Sequence, residues 1–305
     1  MEPDTLAEGS TQTWKNGDGM VRLGKGVANG ACSLLHAAGL GYGASLALDL
    51  RVTVTILDKP SRKKLDDPDG LLDCIREVWS EAGYSLPDSD FHWSVNSAIP
   101  ARQGLKSSAA VSIAALRALA QASGDELSNF ELVDMAAKAQ LKAGVSLTGS
   151  VDDAWAAAEG GWKLVDPSLP AAEGVLLEGE GPKAEDWSVL LLLRGVRKER
   201  PELETFAWHQ QGFQQSLAAL EKGDVLVATT WNGRSMVSVL NDMMGRRLTN
   251  DAFVNGARAA GISGNGPAIV VFCPTVSKPT LERLKMWYTT RQKDVEVIET
   301  RVINP

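Results

Sequence analysis

Residues 100–110 of this chain read PARQGLKSSAA, a stretch suited to holding a phosphate. Gly104 permits backbone geometry closed to other residues, and Ser107 and Ser108 are N-cap candidates for a helix. A glycine turn running into a helix start offers free backbone N–H groups and the positive end of a helix dipole, and a phosphate is its usual guest. Lys106 would add a full positive charge there, or else stand solvated beside the helix start. A second group able to do chemistry is the acidic pair Asp152-Asp153, in a turn ahead of an alanine-rich run that ends at Gly160-Gly161. Such a pair serves either as cap and dipole complement or as a carboxylate presented to a hydroxyl. A third is the glycine turn at residues 261–267, GISGNGP. There Gly264 and Gly266 either bring backbone close to a ligand or simply reverse the chain.

The elements that must position these groups can be read from periodicity. A β-type run at 91–99 leads into PARQGLKSSAA, and a helix-forming run at 109–121 leaves it. Residues 45–56 alternate as a strand, with Asp49 and Arg51 as polar exceptions. Leu71, Leu72, Ile75, Val78 and Trp79 have helical spacing and stop at Gly83. A helix over 129–143 stops at Gly144, and a strand over 162–165 follows the Gly-Gly pair. The Pro-, Gly- and Glu-rich stretch at 167–183 marks the boundary between two halves, 20–175 and 176–305. The second half opens on a strand at 187–193. Helices are expected over 202–222, 224–243 and 250–260, then a strand over 268–273, a helix over 279–290 and a closing strand over 295–303. Helices and strands mix without a regular βαβ rhythm, which indicates an α+β fold. No internal repeat is present.

Composition narrows the function. At 305 residues with 44% hydrophobic and 23% charged residues, the chain has ample core for two domains. Its net charge of −7 argues against general nucleic-acid binding or an anionic membrane surface, so phosphate binding must come from local geometry. Cys32, Cys74 and Cys273 lie far apart with no metal or disulfide spacing, which points to a reducing cytoplasm. The longest strongly apolar run, 189–193, is too short to span a bilayer. Residues 1–19 are polar and aperiodic, read as a loosely ordered extension without a secretory signal. His36, His92 and His209 have no metal spacing and read as structural residues. No Gly-Lys-Ser/Thr occurs, which excludes a Walker A loop, and no strand immediately precedes a GxGxxG among the early glycines.

PARQGLKSSAA resembles the second motif of the GHMP kinase superfamily, usually PxxxGLGSSAA: Pro100, Gly104, Leu105, Ser107, Ser108, Ala109 and Ala110 fit, and Lys106 replaces a glycine. The turn with Gly261, Ser263, Gly264, Gly266 and Pro267 resembles the third motif, and the glycine-rich stretch from Gly24 to Asp49 loosely resembles the first. Within the superfamily the archaeal-type shikimate kinases are most similar, on GLKSSAA, on KAGVSLTGSVDDA (142–154) with Gly160-Gly161 downstream, on Gly223-Asp224 with Asn232-Gly233, and on GISGNGPAIV.

The resemblance implies a two-domain fold, with an N-terminal half like ribosomal protein S5 domain 2, a ferredoxin-like C-terminal half and the active site in the cleft between them. It implies transfer of phosphate from ATP, with Mg2+, to shikimate, in aromatic amino-acid biosynthesis. Homoserine, pantoate or a mevalonate-type compound are the alternative acceptors, and a non-catalytic nucleotide-binding member is the alternative of another class. Residues 104–109 (Gly104, Leu105, Lys106, Ser107, Ser108 and Ala109) would hold the nucleotide phosphates, and the Ser108 hydroxyl would reach Mg2+. Asp153 and Lys106 would be catalytic. Asp49, Asp152, Asp153, Ser263, Gly264 and Gly266 would line the acceptor pocket. Many members place a Mg2+-binding glutamate eleven residues before the aspartate, where this chain has Lys142. Lys142 then stands either near Asp153 or a phosphate, or solvated at a helix end.

Overall fold

Gly24, Gly26 and Gly30 lie in one strand. The structure, a computed structural model, describes residues 20–62, 64–87, 90–197 and 199–305; the expected extension over 1–19 lies outside them. β1 (Arg22–Leu35) pairs antiparallel with β2 (Gly43–Leu57), the two joined through the short helix α1 (Ala37–Leu40). After α2 (Leu71–Glu81) and β3 (His92–Ser97) comes α3 (Ser107–Ser123), whose alanine-rich face lies directly on β1. The glycines permit that contact: a Cβ on Gly24 would sit 2.1 Å from Ala118 O, and one on Gly26 1.9 Å from Ala114 O. Gly26→Ala is therefore expected to destabilise the protein by about 3 kcal/mol through overpacking against helix backbone, measured as a lowered urea midpoint.

The first half continues with α4 (Asn129–Lys142), closed at its start by a Ser128–Glu131 capping box, then α5 (Asp152–Glu159), β4 (Trp162–Val165) and β5 (Val175–Gly179). These strands make a five-stranded sheet in the order β1-β2-β4-β5, with β3 also on β2. The far edge of β2 is shared: its first part pairs with β4 and its last part with β3. Residues from the chain's C-terminal end fill the gap, with Asp49 N donating to Arg301 O at 2.8 Å and Ile303 N to Ala47 O at 3.1 Å. The boundary expected after residue 175 thus falls later, because β5 belongs to the first sheet, and the tail returns to it.

The second half holds β6 (Trp187–Leu193), α6 (Leu203–Ala207), α7 (Gln210–Leu220), α8 (Val225–Val239), α9 (Met243–Val254), β7 (Ala259–Ile262), β8 (Ile269–Pro274), α10 (Lys278–Arg291) and β9 (Glu296–Thr300). Its antiparallel sheet runs β7-β8-β6-β9. The helix expected over 224–243 ends at Val239, where Asn241 turns left-handed (φ 49°) and the Asp242 carboxylate accepts from Gly245 N at 2.7 Å to start α9. The expected 250–260 helix is the end of α9, stopped at Gly256 (φ 100°) before β7 begins. No helix among the described residues is long and apolar enough to cross a membrane.

Candidate active site

The PARQGLKSSAA loop is held from behind by the second half of the chain. Three successive carbonyls accept from it: Arg102 O from Arg197 N (3.2 Å), Gln103 O from Ala268 N (3.1 Å) and Gly104 O from Ser263 Oγ (2.7 Å). Arg102, Gly104 and Lys106 all have positive φ, at 57°, 82° and 63°. At Gly104 no side chain fits, since a Cβ would lie 2.1 Å from Ser263 O. Leu105 sends its side chain into the core and takes Ala31 N on its carbonyl at 3.2 Å, so only its backbone is available to a ligand.

Ser107 and Ser108 do not cap α3. Lys106 holds the N-cap position in a left-handed conformation without a side-chain cap bond, and the serines form the first turn. The amides of Ser107, Ser108 and Ala109 have no partner within the helix and stand at its positive end. Ser108 Oγ donates to Gln140 Oε1 at 3.2 Å.

Lys106 does not stand solvated. Its Nζ lies 2.7 Å from Asp153 Oδ1, with the two side chains 12% and 24% exposed. Burial acts to raise the Asp153 pKa, but the Lys106 charge and hydrogen bond outweigh it and hold the carboxyl below the usual carboxylate range. Asp152, the first residue of α5, points the other way and is buried. Neither aspartate is the N-cap, a position held by Val151. Asp152 Oδ1 accepts from Ser150 Oγ at 2.5 Å, and Ser45 Oγ on β2 lies 2.7 Å from both Asp152 Oδ2 and Asp153 Oδ1. Burial, then the neighbouring Asp153, push the Asp152 pKa up to about 7. Gly43 makes room for the cluster, since a Cβ there would sit 2.5 Å from both Asp152 Oδ1 and Ser150 Oγ.

The loop, both aspartates and Gly264 line one cleft, with His36, Asn265, Gln140, Arg102, Arg197 and Arg200. His36 was expected to be structural and is partly so: its Nδ1 accepts from Ala38 N, and its Nε2 lies 2.9 Å from Asn265 Oδ1. Burial, then the Lys106 charge, lower its pKa to about 4, so it is neutral in the cleft wall. Ser263 is a buried link rather than a lining residue, because its Oγ bonds Gly104 O and accepts from Ser33 N. Gly266 closes the turn through its N–H to Ser263 O at 2.8 Å.

One expected site position lies elsewhere, and Lys142 takes the helix-end place of its two readings. Asp49 pairs with Arg301 Nε at 3.0 Å beside Trp187, outside the cleft, because its place on β2 faces the returning tail. Lys142 turns to Glu77 and Glu81 on α2, the second at 2.8 Å. Among the arginines, Arg194 is spent on Asp242 and Pro267 O, and Arg234 lies over the Trp231 ring. Gln140, Ser45 and Arg200 carried no signal in the sequence, since each matters only through partners brought by the fold. Among the described residues no group of three or more His, Cys, Asp or Glu side chains could hold a metal ion.

Comparison with known proteins agrees with this geometry. The family of GHMP kinases N terminal domains matches residues 70–161. The chain is 30% identical over 259 residues to a shikimate kinase of Methanothermobacter thermautotrophicus, covering 79% of this chain and 84% of that one. It is 28% identical over 243 residues to a shikimate kinase of Thermoplasma acidophilum, covering 79% and 83%. Among solved structures, the Methanococcus jannaschii mevalonate kinase superposes with a TM-score of 0.66 at 15% identity, covering 92% of this chain and 98% of that one. The homoserine kinase of Cytophaga hutchinsonii does so with a TM-score of 0.64 at 18% identity, covering 98% of each. With its loop, aspartate pair and glycine turn meeting in one cleft of that fold, the chain belongs to the GHMP kinases, in the family of the archaeal shikimate kinases.

Proposed function

We propose that this chain transfers the γ-phosphoryl group of ATP to shikimate, giving shikimate 3-phosphate and ADP in the aromatic amino-acid pathway of a cytoplasm. The observation that carries this reading is the Lys106–Asp153 ion pair, which ties a phosphate-holding loop to a carboxylate inside one cleft. Phosphoryl transfer is chiefly positioning and charge neutralisation, with a group to receive the acceptor's proton. In this reading the amides of Ser107, Ser108 and Ala109 hold the nucleotide phosphates, Lys106 adds positive charge, and Asp153 faces the acceptor hydroxyl as base.

The cleft residues fit a Mg2+ that arrives with the nucleotide. Ser108 Oγ and Gln140 Oε1 are neutral oxygens beside the free amides, suited to an ion held mainly by phosphates and water. When bound, that ion would neutralise developing charge on the phosphates.

Shikimate differs from most other acceptors of this fold in joining a carboxylate to a ring of hydroxyls. Arg197 suits that carboxylate: it lines the cleft, is half-buried and has no side-chain partner among the described residues. Burial, then the neighbouring charges of Arg200 and Arg102, lower its pKa, and the opposing pull of Asp69 does not offset them. Arg197→Gln is expected to raise the KM for shikimate about 10–100-fold, the size of a lost charged hydrogen bond, while the KM for ATP changes far less. The reading itself is tested by ADP release with shikimate, homoserine, pantoate and mevalonate in turn. Turnover of another acceptor but not shikimate overturns the substrate, and ATP binding without transfer to any acceptor overturns the kinase.

A further inference from the structure

The Ser45 hydroxyl lies 2.7 Å from carboxylate oxygens of both Asp152 and Asp153, yet it has one proton to donate. Both contacts are hydrogen bonds only when one carboxyl supplies a proton. Asp153 is held ionised by Lys106 at 2.7 Å, which leaves Asp152 as the holder. The line of atoms then runs from the Asp152 carboxyl through Ser45 Oγ to Asp153 Oδ1 and the Lys106 ammonium. Asp152 is 4% exposed, whereas Asp153 is 24% exposed on the cleft side. Both line the cleft, with Asp153 the more exposed of the two and Asp152 at its buried end.

We propose that Ser45 and Asp152 are positioning residues that form a proton wire behind Asp153, along which the acceptor's proton is passed into the protein. The wire rests on the kinase reading above. As the acceptor oxygen bonds to the γ-phosphorus, the β–γ bridging P–O bond breaks and its electrons stay on ADP. The acceptor's O–H proton goes to the Asp153 carboxylate. Asp153 then gives a proton to Ser45 Oγ while Ser45 gives its own to ionised Asp152. Asp153 is left ionised beside Lys106, and Asp152 later releases the proton to solvent. Asp153, held below the usual carboxylate range by Lys106, is a poorer resting place for a proton than the more basic Asp152.

The groups facing Asp152 are Asp153 on its own helix, Ser45 on β2, Ser150 in the preceding turn and Lys106 from the phosphate loop. His36, held neutral, and the Arg197 guanidinium also line the cleft. Only ionised Asp152 can accept, so the rate must rise with pH through its titration near 7. Without Ser45 the wire is cut and that dependence goes.

The experiment is the pH profile of kcat with shikimate for wild type, Ser45→Ala and Ser45→Thr. Wild type is expected to show an acid limb near pH 7. Ser45→Ala should lose about 10–100-fold in kcat together with the limb, and Ser45→Thr, which keeps a hydroxyl, should recover both. A structural role for Ser45 would lower the rate and leave the limb in place, and that result overturns the wire, as does a wild-type profile in Ser45→Ala. Infrared spectra of the acceptor-free protein supply an arm independent of turnover. A protonated carboxyl band should vanish with a midpoint near pH 7, be absent in Asp152→Asn and shift in Ser45→Ala. Its absence from wild type overturns the wire even if shikimate is phosphorylated. If no acceptor is phosphorylated, the kinase reading falls on its own.

Discussion

Asp153→Asn is expected to lower kcat by about a thousandfold, within the range lost when a positioned base is removed. Asparagine has the same shape and keeps an oxygen for the Lys106 ammonium, which lies 2.7 Å from the carboxylate in the wild type. The phosphate loop does not depend on this carboxylate for its shape, because its carbonyls are held by Arg197 N, Ala268 N and Ser263 Oγ. The loss should therefore appear in kcat, with the KM for ATP little changed, and calorimetry should still register nucleotide binding. The variant should also carry a less basic Lys106, because the Asp153 charge is what holds that pKa up against burial. ADP release with shikimate measures the first effect. A kcat within about threefold of wild type would remove Asp153 from the base role and leave it as a partner of Lys106 only.

Much of the scaffold could be read from pattern, and the reasons for the exceptions are physical. The apolar spacing over 71–82 and the helical run over 129–143 that stops at Gly144 are local, and the helices α2 and α4 form where they indicate. β1 was illegible because its glycines report a demand made by α3, a helix far along the chain, rather than any strand preference. The breaks at Asn241 and Gly256 were missed for the opposite reason. A single left-handed residue stops a helix without disturbing the apolar period around it. At the site, the turn chemistry marked Gly104 and the aspartate pair, since each needs a particular residue type at a particular place. Asp49 lies outside the cleft because a motif position fixes the backbone and not the partner, and its carboxylate found a nearer opposite charge in Arg301. Lys142 is the helix-end lysine of its two readings, at the close of α4 and paired with the α2 glutamates. Ser45 and Gln140 have meaning only in three dimensions, so nothing in their own neighbourhoods announced them.

Lys106→Gly separates the two things that this residue does. Its φ of 63° makes it a left-handed N-cap of α3, a conformation that costs a non-glycine residue about 1–2 kcal/mol. The usual form of the motif has glycine here, so the backbone alone would favour glycine. What lysine adds is the ion pair with Asp153. Both Lys106→Gly and Lys106→Ala lose that pair, so the difference between them isolates the backbone. The glycine variant is expected to be more stable than the alanine variant by about 1 kcal/mol, read from urea midpoints. Both are expected to lose about a thousandfold in kcat/KM, since a cation near transferring phosphates and the group keeping Asp153 ionised go together. The sign of the pH effect follows. Without Lys106, burial is left to push the Asp153 pKa upward against only the Ser45 and Asp152 hydrogen bonds, so activity that remains should shift to higher pH. Equal stability of the two variants would show that the left-handed turn carries no strain. Activity of the glycine variant within tenfold of wild type would show that the lysine charge is not needed, and that the loop amides alone hold the phosphates.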